Sequence, residues 1–111
     1  MKTKYYNTII VLFVVFTSSF LYSKDSTIWI DVRSKQEHKA DHIKGDHLIS
    51  FKNIVKKVKD LYPKKDTPIV LYCKSGGRAD IALTALKKAG YQNVHNVHTI
   101  ENARKLRKLN Q

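Results

Sequence analysis

Residues Ile69 to Arg78 read I-V-L-Y-C-K-S-G-G-R, and a run rich in small apolar residues, Ala79 to Ala89, follows at once. Ile69 to Tyr72 has the β-branched, aliphatic and aromatic make-up of a buried strand. The run after Arg78 places Ile81, Ala82, Ala85, Leu86 and Ala89 as a packing stripe of a helix. Gly90 stands where a left-handed residue ends helices. Between strand and helix lie Cys73, the one cysteine of the chain, and two glycines. A strand, a tight glycine loop and a helix in that order form the unit of an α/β layer fold. In parallel sheets of this kind ligands bind beyond the carboxyl ends of the strands, and Cys73 falls at such an end.

The flanking sequence repeats the alternation. Ser26 to Val32, S-T-I-W-I-D-V, predicts a strand. Ser34 and Glu37, three apart, predict a capping box that opens a short helix over Lys35 to Ala40. Asp41 to Gly45 reads as a turn and His47 to Ile49 as a short strand. Ser50 can cap a second helix with Phe51, Ile54, Val58 and Leu61 on its inner face, and Pro63 stops it. Lys52, Lys56, Lys57 and Lys59 fall mostly on the opposite side. Beyond Gly90, Val94 to Val97 predicts a fourth strand. Ile100 to Leu109 predicts a last helix with Ile100, Ala103, Leu106 and Leu109 inward. The order β, α, β, α, β, α, β, α predicts one α/β domain, a central parallel β-sheet flanked by helices.

The chain has 111 residues, enough for one small domain. Lys and Arg number 21 against 9 Asp and Glu, a formal charge of +12. Such a balance suits a small oxyanion, a membrane surface or nucleic acid. The lysines are spread along the chain and aromatics do not interleave with them, which argues against nucleic acid. A lysine-rich solvated surface accounts for most of the charge. Lys2 and Lys4, the apolar run Ile9 to Phe16, and the small residues Thr17, Ser18, Ser19 and Ser23 form the pattern of a secretory signal peptide. Cleavage after Ser23 is expected, leaving the domain at residues 24–111 in a periplasm or exterior. An uncharged span from Tyr5 to Ser23 makes a retained membrane anchor the alternative. A monomer is expected.

A lone cysteine in an oxidising compartment forms no internal bridge, so it is either buried as structure or used. The thiolate is the nucleophile, and a free cysteine, with a pKa of about 8.5, is shifted down at helix N-termini and beside cations. Lys74 and Arg78 bring such cations, and they would add charge-assisted contacts to an incoming oxyanion. Gly76 and Gly77 let the loop curl so that successive N–H groups converge. A thiol used this way has to ionise near neutral pH and be reachable from solvent. No histidine lies within a few residues of Cys73, so a Cys–His dyad would have to be assembled from a distance. His38, His42, His47, His95 and His98 lack paired cysteines, and no metal or other cofactor is expected.

Ile30-Asp31-Val32-Arg33, then Glu37, His42-Ile43-Lys44-Gly45 and Ile49, then Tyr72 to Arg78, Leu83, Leu86 and Gly90-Tyr91-Gln92-Asn93-Val94 share the order and spacing of the rhodanese family. The chain resembles that family from about Trp29 to Val97. With its N-terminal segment it looks like the small exported single-domain members of the phage-shock-protein-E type. The resemblance implies a thiosulfate sulfurtransferase. Cys73 would take sulfane sulfur from thiosulfate, release sulfite, hold a persulfide and pass the sulfur to cyanide or a thiol. It also implies that backbone N–H groups of Lys74, Ser75, Gly76, Gly77 and Arg78 cradle the charged sulfur. Asp31, Arg33, Glu37 and His42 then take structural places. A persulfide carrier without turnover is an alternative. Phosphatases and arsenate reductases of related fold are disfavoured, because they use a wider C-x5-R loop and this chain has C-x4-R. Two departures stand out. Asp41 replaces a usual glycine before the His-Ile pair. His98-Thr99-Ile100 stands where a Gly-Gly turn is usual, which implies an altered pocket rim.

Overall fold

The computed structural model describes residues 26–109. Strands β1 (Ile28–Asp31), β2 (His47–Leu48), β3 (Ile69–Cys73) and β4 (Val94–Thr99) form one parallel sheet in the order β2–β1–β3–β4. Helices α1 (Lys35–Ala40), α2 (Ile54–Leu61), α3 (Gly77–Lys88) and α4 (Ile100–Leu106) alternate with the strands. A 3-10 turn (Phe51–Asn53), capped by Ser50, leads into α2. This is the helix-flanked parallel sheet that the sequence alternation predicts. The signal segment expected at residues 1–23 lies outside the described residues.

Both faces of the sheet are covered, and β3 shows it residue by residue. Ile69, Leu71 and Cys73 point into the core beneath α2 and α3, alongside Ile30, Val58 and Leu86. Tyr72 points the other way, onto Ile43, Ile100 and Ala103 beneath α4. Side chains alternate faces along a strand, and a strand covered on both sides reads as an unbroken apolar run. Ile69, Leu71 and Tyr72 are fully buried. Truncating a buried side chain of this size to alanine costs about 2–5 kcal/mol. The strand that delivers Cys73 is therefore the best anchored part of the sheet.

Helix α1 is built differently, because it buries no residue. Ser34 Oγ accepts from the Glu37 N–H at 3.2 Å, and Glu37 Oε1 accepts from the Ser34 N–H at 3.1 Å. This is the capping box read from the sequence. It is worth about 1 kcal/mol and needs help from elsewhere to hold so short a helix.

Four inward assignments are corrected. Leu61, Ile81, Leu106 and Leu109 are 50%, 55%, 64% and 40% exposed. On α3 the seam against the sheet runs through Ala79, Ala82 and Leu86, which turns Ile81 outward. Leu61 ends α2, and Tyr62 packs on the core instead. On α4 the buried place in the last turn goes to Arg104, which reaches back to Asp41 at 2.6 Å. Helix α4 then stops at Leu106, with Lys108 left-handed at φ 55°, so Leu109 follows the helix rather than ending it. Helix α3 begins at Gly77 rather than Ala79, because Gly76 makes the turn.

Candidate active site

Only Lys74, Ser75 and Gly76 separate the end of β3 from the start of α3. Strand pairing fixes β3 from both sides, with Tyr72 opposite Asp31 and Cys73 opposite Thr99. Gly76 is the N-cap of α3 and sits at φ 98°, ψ −19°. Any residue with a Cβ loses about 1–2 kcal/mol in that left-handed region. The turn folds the Gly76 N–H back to donate to Cys73 Sγ at 3.0 Å. No side chain caps α3. The first amides of the helix, from Gly77 on, thus have neither an intrahelical acceptor nor a capping oxygen, and the positive end of the helix dipole lies there.

The expected site residues separate on inspection. Cys73 is 0% exposed, so the expectation of a thiol open to solvent is not met. It shares the inward face of β3 with Ile69 and Leu71, and the buried Gly76 folds back onto its sulfur. Of the loop amides expected to hold the sulfur, that of Gly76 alone donates to Sγ. Lys74 and Ser75 are exposed, as is Gly77. A hollow of about 450 Å³ runs along the outer side of α3 past Gly77, Ile81 and Lys88, and Cys73 does not line it.

The side chain of Arg78 is not held in reserve for an anion. Its Nη1 and Nη2 donate to Glu37 Oε1 and Oε2 at 2.6 and 2.9 Å. This fork holds the Glu37 carboxyl far below the usual glutamate range, with the Ser34 N–H as second cause. The same bond raises Arg78. One carboxylate thereby closes the capping box of α1 and ties it to the first turn of α3. Asp31 and Arg33 make a second, buried fork at the end of β1, with Arg33 Nη2 to Asp31 Oδ2 at 2.9 Å. Removing one partner of such a pair costs about 3–5 kcal/mol. His42 stacks on His38 at 4.1 Å and its Nδ1 lies 3.0 Å from the His38 carbonyl oxygen. Asp31, Arg33, Glu37 and His42 are all engaged with the scaffold.

The irregular end of β4, where its register with β3 shifts, lies against the loop, and one residue in it escaped the sequence reading. Asn96 Oδ1 accepts from the His98 N–H at 2.8 Å. Its Nδ2 donates to the Gly76 carbonyl oxygen at 3.2 Å. The first bond spans two residues inside the bulged part of β4, and an asparagine, which bonds backbone two residues on, could have signalled it. The second crosses 20 residues of sequence and leaves no local trace. His98 is left-handed, at φ 77°. A Cβ placed on Gly76 would meet His98 Nδ1 at 2.9 Å. Glycine is thus required at 76 both by its dihedral and by its neighbour.

Comparison with known proteins agrees with this geometry. The model of the rhodanese-like domain family matches residues 20–99. Thiosulfate sulfurtransferase PspE of Escherichia coli (strain K12) is 29% identical over 68 residues, covering 61% of this chain and 65% of that protein's length. Among solved structures, a rhodanese with anions from E. coli is similar with a TM-score of 0.65 at 26% identity, covering 68% of this chain and 89% of that one. A rhodanese-like domain from Anabaena sp. shares the fold with a TM-score of 0.64 at 20% identity, covering 76% and 95% of the two chains. With the family match spanning most of its length, the chain belongs to the rhodanese-like domain family.

Proposed function

We propose that this chain is a thiosulfate sulfurtransferase that works through a persulfide on Cys73. The observation that carries the reading is the 3.0 Å bond from the Gly76 N–H to Sγ, made at the uncapped start of α3. An N–H bonds a thiolate more strongly than a thiol, and the helix end favours negative charge. In the first step the thiolate attacks the outer sulfur of thiosulfate. A new S–S bond forms, the bond from that sulfur to the sulfonate breaks, and sulfite leaves with the electron pair. In the second step cyanide attacks the outer sulfur of the persulfide, thiocyanate departs and the thiolate returns. A thiol acceptor gives up its proton and leaves as a persulfide. The amides of Lys74, Ser75, Gly77 and Arg78 join that of Gly76 around the transferred sulfur. One well-placed donor of this kind is worth about 2.7–4 kcal/mol. Thiosulfate as donor is supported by the name of the E. coli relative and by the narrow C-x4-R loop.

The altered stretch His98-Thr99-Ile100, with His98 against Gly76, supports one second reading, a persulfide carrier that loads sulfur but turns it over slowly. Intact-mass measurement after incubation with thiosulfate tests both. The protein gains one sulfur atom, and Cys73→Ser gains none. An intact thiol that gains nothing overturns the proposal. Rapid release of thiocyanate with cyanide removes the carrier reading.

Export to the periplasm belongs to the same proposal, supported by the basic, apolar and small-residue order of residues 1–23. Protein recovered from a periplasmic fraction then begins at Lys24. Recovery in the membrane at full length supports the anchor instead. A single-copy mass in solution checks the expected monomer.

A further inference from the structure

We propose that His98 is a specificity-determining residue of the cysteine site, limiting by size what reaches Sγ. The inference rests on the sulfurtransferase reading and names the residue that selects its donors. Among the described residues two non-glycines are left-handed, His98 and Lys108. Lys108 follows the last turn of α4, where that conformation is an ordinary helix ending. His98 lies instead inside β4, in the bulge where Val97 and His98 stand opposite the single residue Tyr72 and the register with β3 shifts before Thr99. A conformation that costs about 1–3 kcal/mol persists only where its surroundings over-determine it. Here Asn96 does so, with one bond to the His98 N–H and one to the Gly76 carbonyl oxygen.

The result is a defined placement. The imidazole lies against the Gly76 face of the loop, with Nδ1 at 2.9 Å from where a Cβ would stand. The N–H of that same Gly76 is the one bonded to Sγ. Thr99, the next residue after His98, pairs with Cys73 across the ladder. The His98 side chain therefore borders the approach to the sulfur from the β4 side, over a thiol that is already 0% exposed. A small donor needs a slight displacement there, whereas a donor with an aromatic group has to move the imidazole.

Cys73 is the chain's one cysteine, so thiol reagents report on this site alone and need no turnover. Wild type, His98→Gly and His98→Asn are each treated with iodoacetamide and with a bulky aromatic disulfide. Glycine and asparagine both accept φ 77°, so both variants keep the turn. The expected result is a rise of about tenfold in the aromatic reagent's rate for His98→Gly. That is the scale on which a pocket discriminates by one small group. The iodoacetamide rate changes by less than about threefold, and His98→Asn falls between. Equal acceleration of both reagents, or acceleration of neither, overturns the proposal. Persulfide loading is then compared between thiosulfate and benzenethiosulfonate by intact mass, and His98→Gly shifts the ratio toward the aromatic donor. If no protein loads from either donor, the sulfurtransferase reading fails while the reagent ratio still judges His98.

Discussion

Two neighbouring strands each lead into a helix, β3 through the loop Lys74 to Gly76 and β4 directly, and the two turns that open the helices are capped in opposite ways. Thr99 caps α4 with its own hydroxyl, which accepts from the Asn102 N–H at 3.0 Å. Gly76 caps α3 with no side chain at all. A left-handed residue comes shortly before each helix, Gly76 at φ 98° as the cap of α3 and His98 at φ 77° in the bulged end of β4. At one helix start an amide, that of Asn102, is satisfied by the capping side chain. At the other the first amides stay uncapped beside a sulfur. The open start lies beside the proposed nucleophile, and the residue before Thr99, His98, packs against its Gly76.

Gly76→Ala is the sharpest way to break that contrast. The substitution puts a Cβ into a left-handed position, at about 1–2 kcal/mol, and drives it against His98 Nδ1 at 2.9 Å. The peptide has to rotate, and the N–H leaves Sγ. Persulfide loading from thiosulfate falls about 100-fold, the loss expected for one preorganised donor. The denaturation midpoint falls as well. Adding His98→Gly to this variant removes the clash but not the dihedral strain, so loading recovers in part. Unchanged loading in Gly76→Ala would mean that the amide bond to sulfur plays no part.

The second handle is Glu37, which braces the open helix start from outside through Arg78. Its folded-state pKa is depressed, first by the Arg78 bond and then by the Ser34 N–H. A depressed carboxylate stabilises the fold at every pH above its unfolded value, about 4.3 for glutamate. That stability is lost as pH falls through the folded value. Both side chains are about 30% exposed, at 31% and 27%. Solvent screening therefore trims the contribution to about 1–2 kcal/mol. Glu37→Gln is expected to lose that amount in urea melts at pH 7 and to show a flatter acid limb. A parallel acid limb in wild type and variant would assign the acid sensitivity elsewhere, with Asp41 next in line, itself depressed by Arg104.

What was readable in the sequence follows the distance over which each interaction acts. The Ser34–Glu37 capping box spans three residues and was read in full. Gly45 and Gly90 at φ 92° and 100° were legible for the same reason. The two central strands, β1 and β3, were legible as apolar runs. The Arg78–Glu37 fork joins residues 41 apart and Arg104–Asp41 residues 63 apart. No local pattern marks them, so Arg78 looked like a cation waiting for an anion. Among the described residues all four arginines pair with acids, and the solvated surface charge falls to the lysines. Ile81 and Leu106 were misplaced because spacing defines a stripe but not which side of it the sheet meets. The burial of Cys73 was one of the two readings a lone cysteine allowed, and strand alternation, which puts it on the face of Ile69 and Leu71, decides for it once β3 is seen to run through Cys73.

Thr99→Ala tests the closed turn by itself. Loss of the hydroxyl cap costs about 1 kcal/mol, visible as a lower denaturation midpoint. Sulfur loading stays within about twofold of wild type, well short of what loss of a donor to sulfur does. A large loss of loading here, matching Gly76→Ala, would erase the distinction between the two turns.

The smallest effect has the most informative sign. His98→Gly relieves a left-handed side chain, a gain of about 1–2 kcal/mol. It also adds unfolded-chain entropy worth about 0.5–1 kcal/mol against folding. The net expectation is a gain of about 0.5–1 kcal/mol, read as a small rise in melting temperature. Asn96 keeps its bonds to the His98 position's N–H and to Gly76 in either case, so the turn itself is not at stake. A melting temperature that falls instead would mean the imidazole stabilises the loop by more than its own backbone strain. His98 would then count as part of the packing that holds Gly76 over the sulfur, and the two turns would be one structural unit rather than two separate ones.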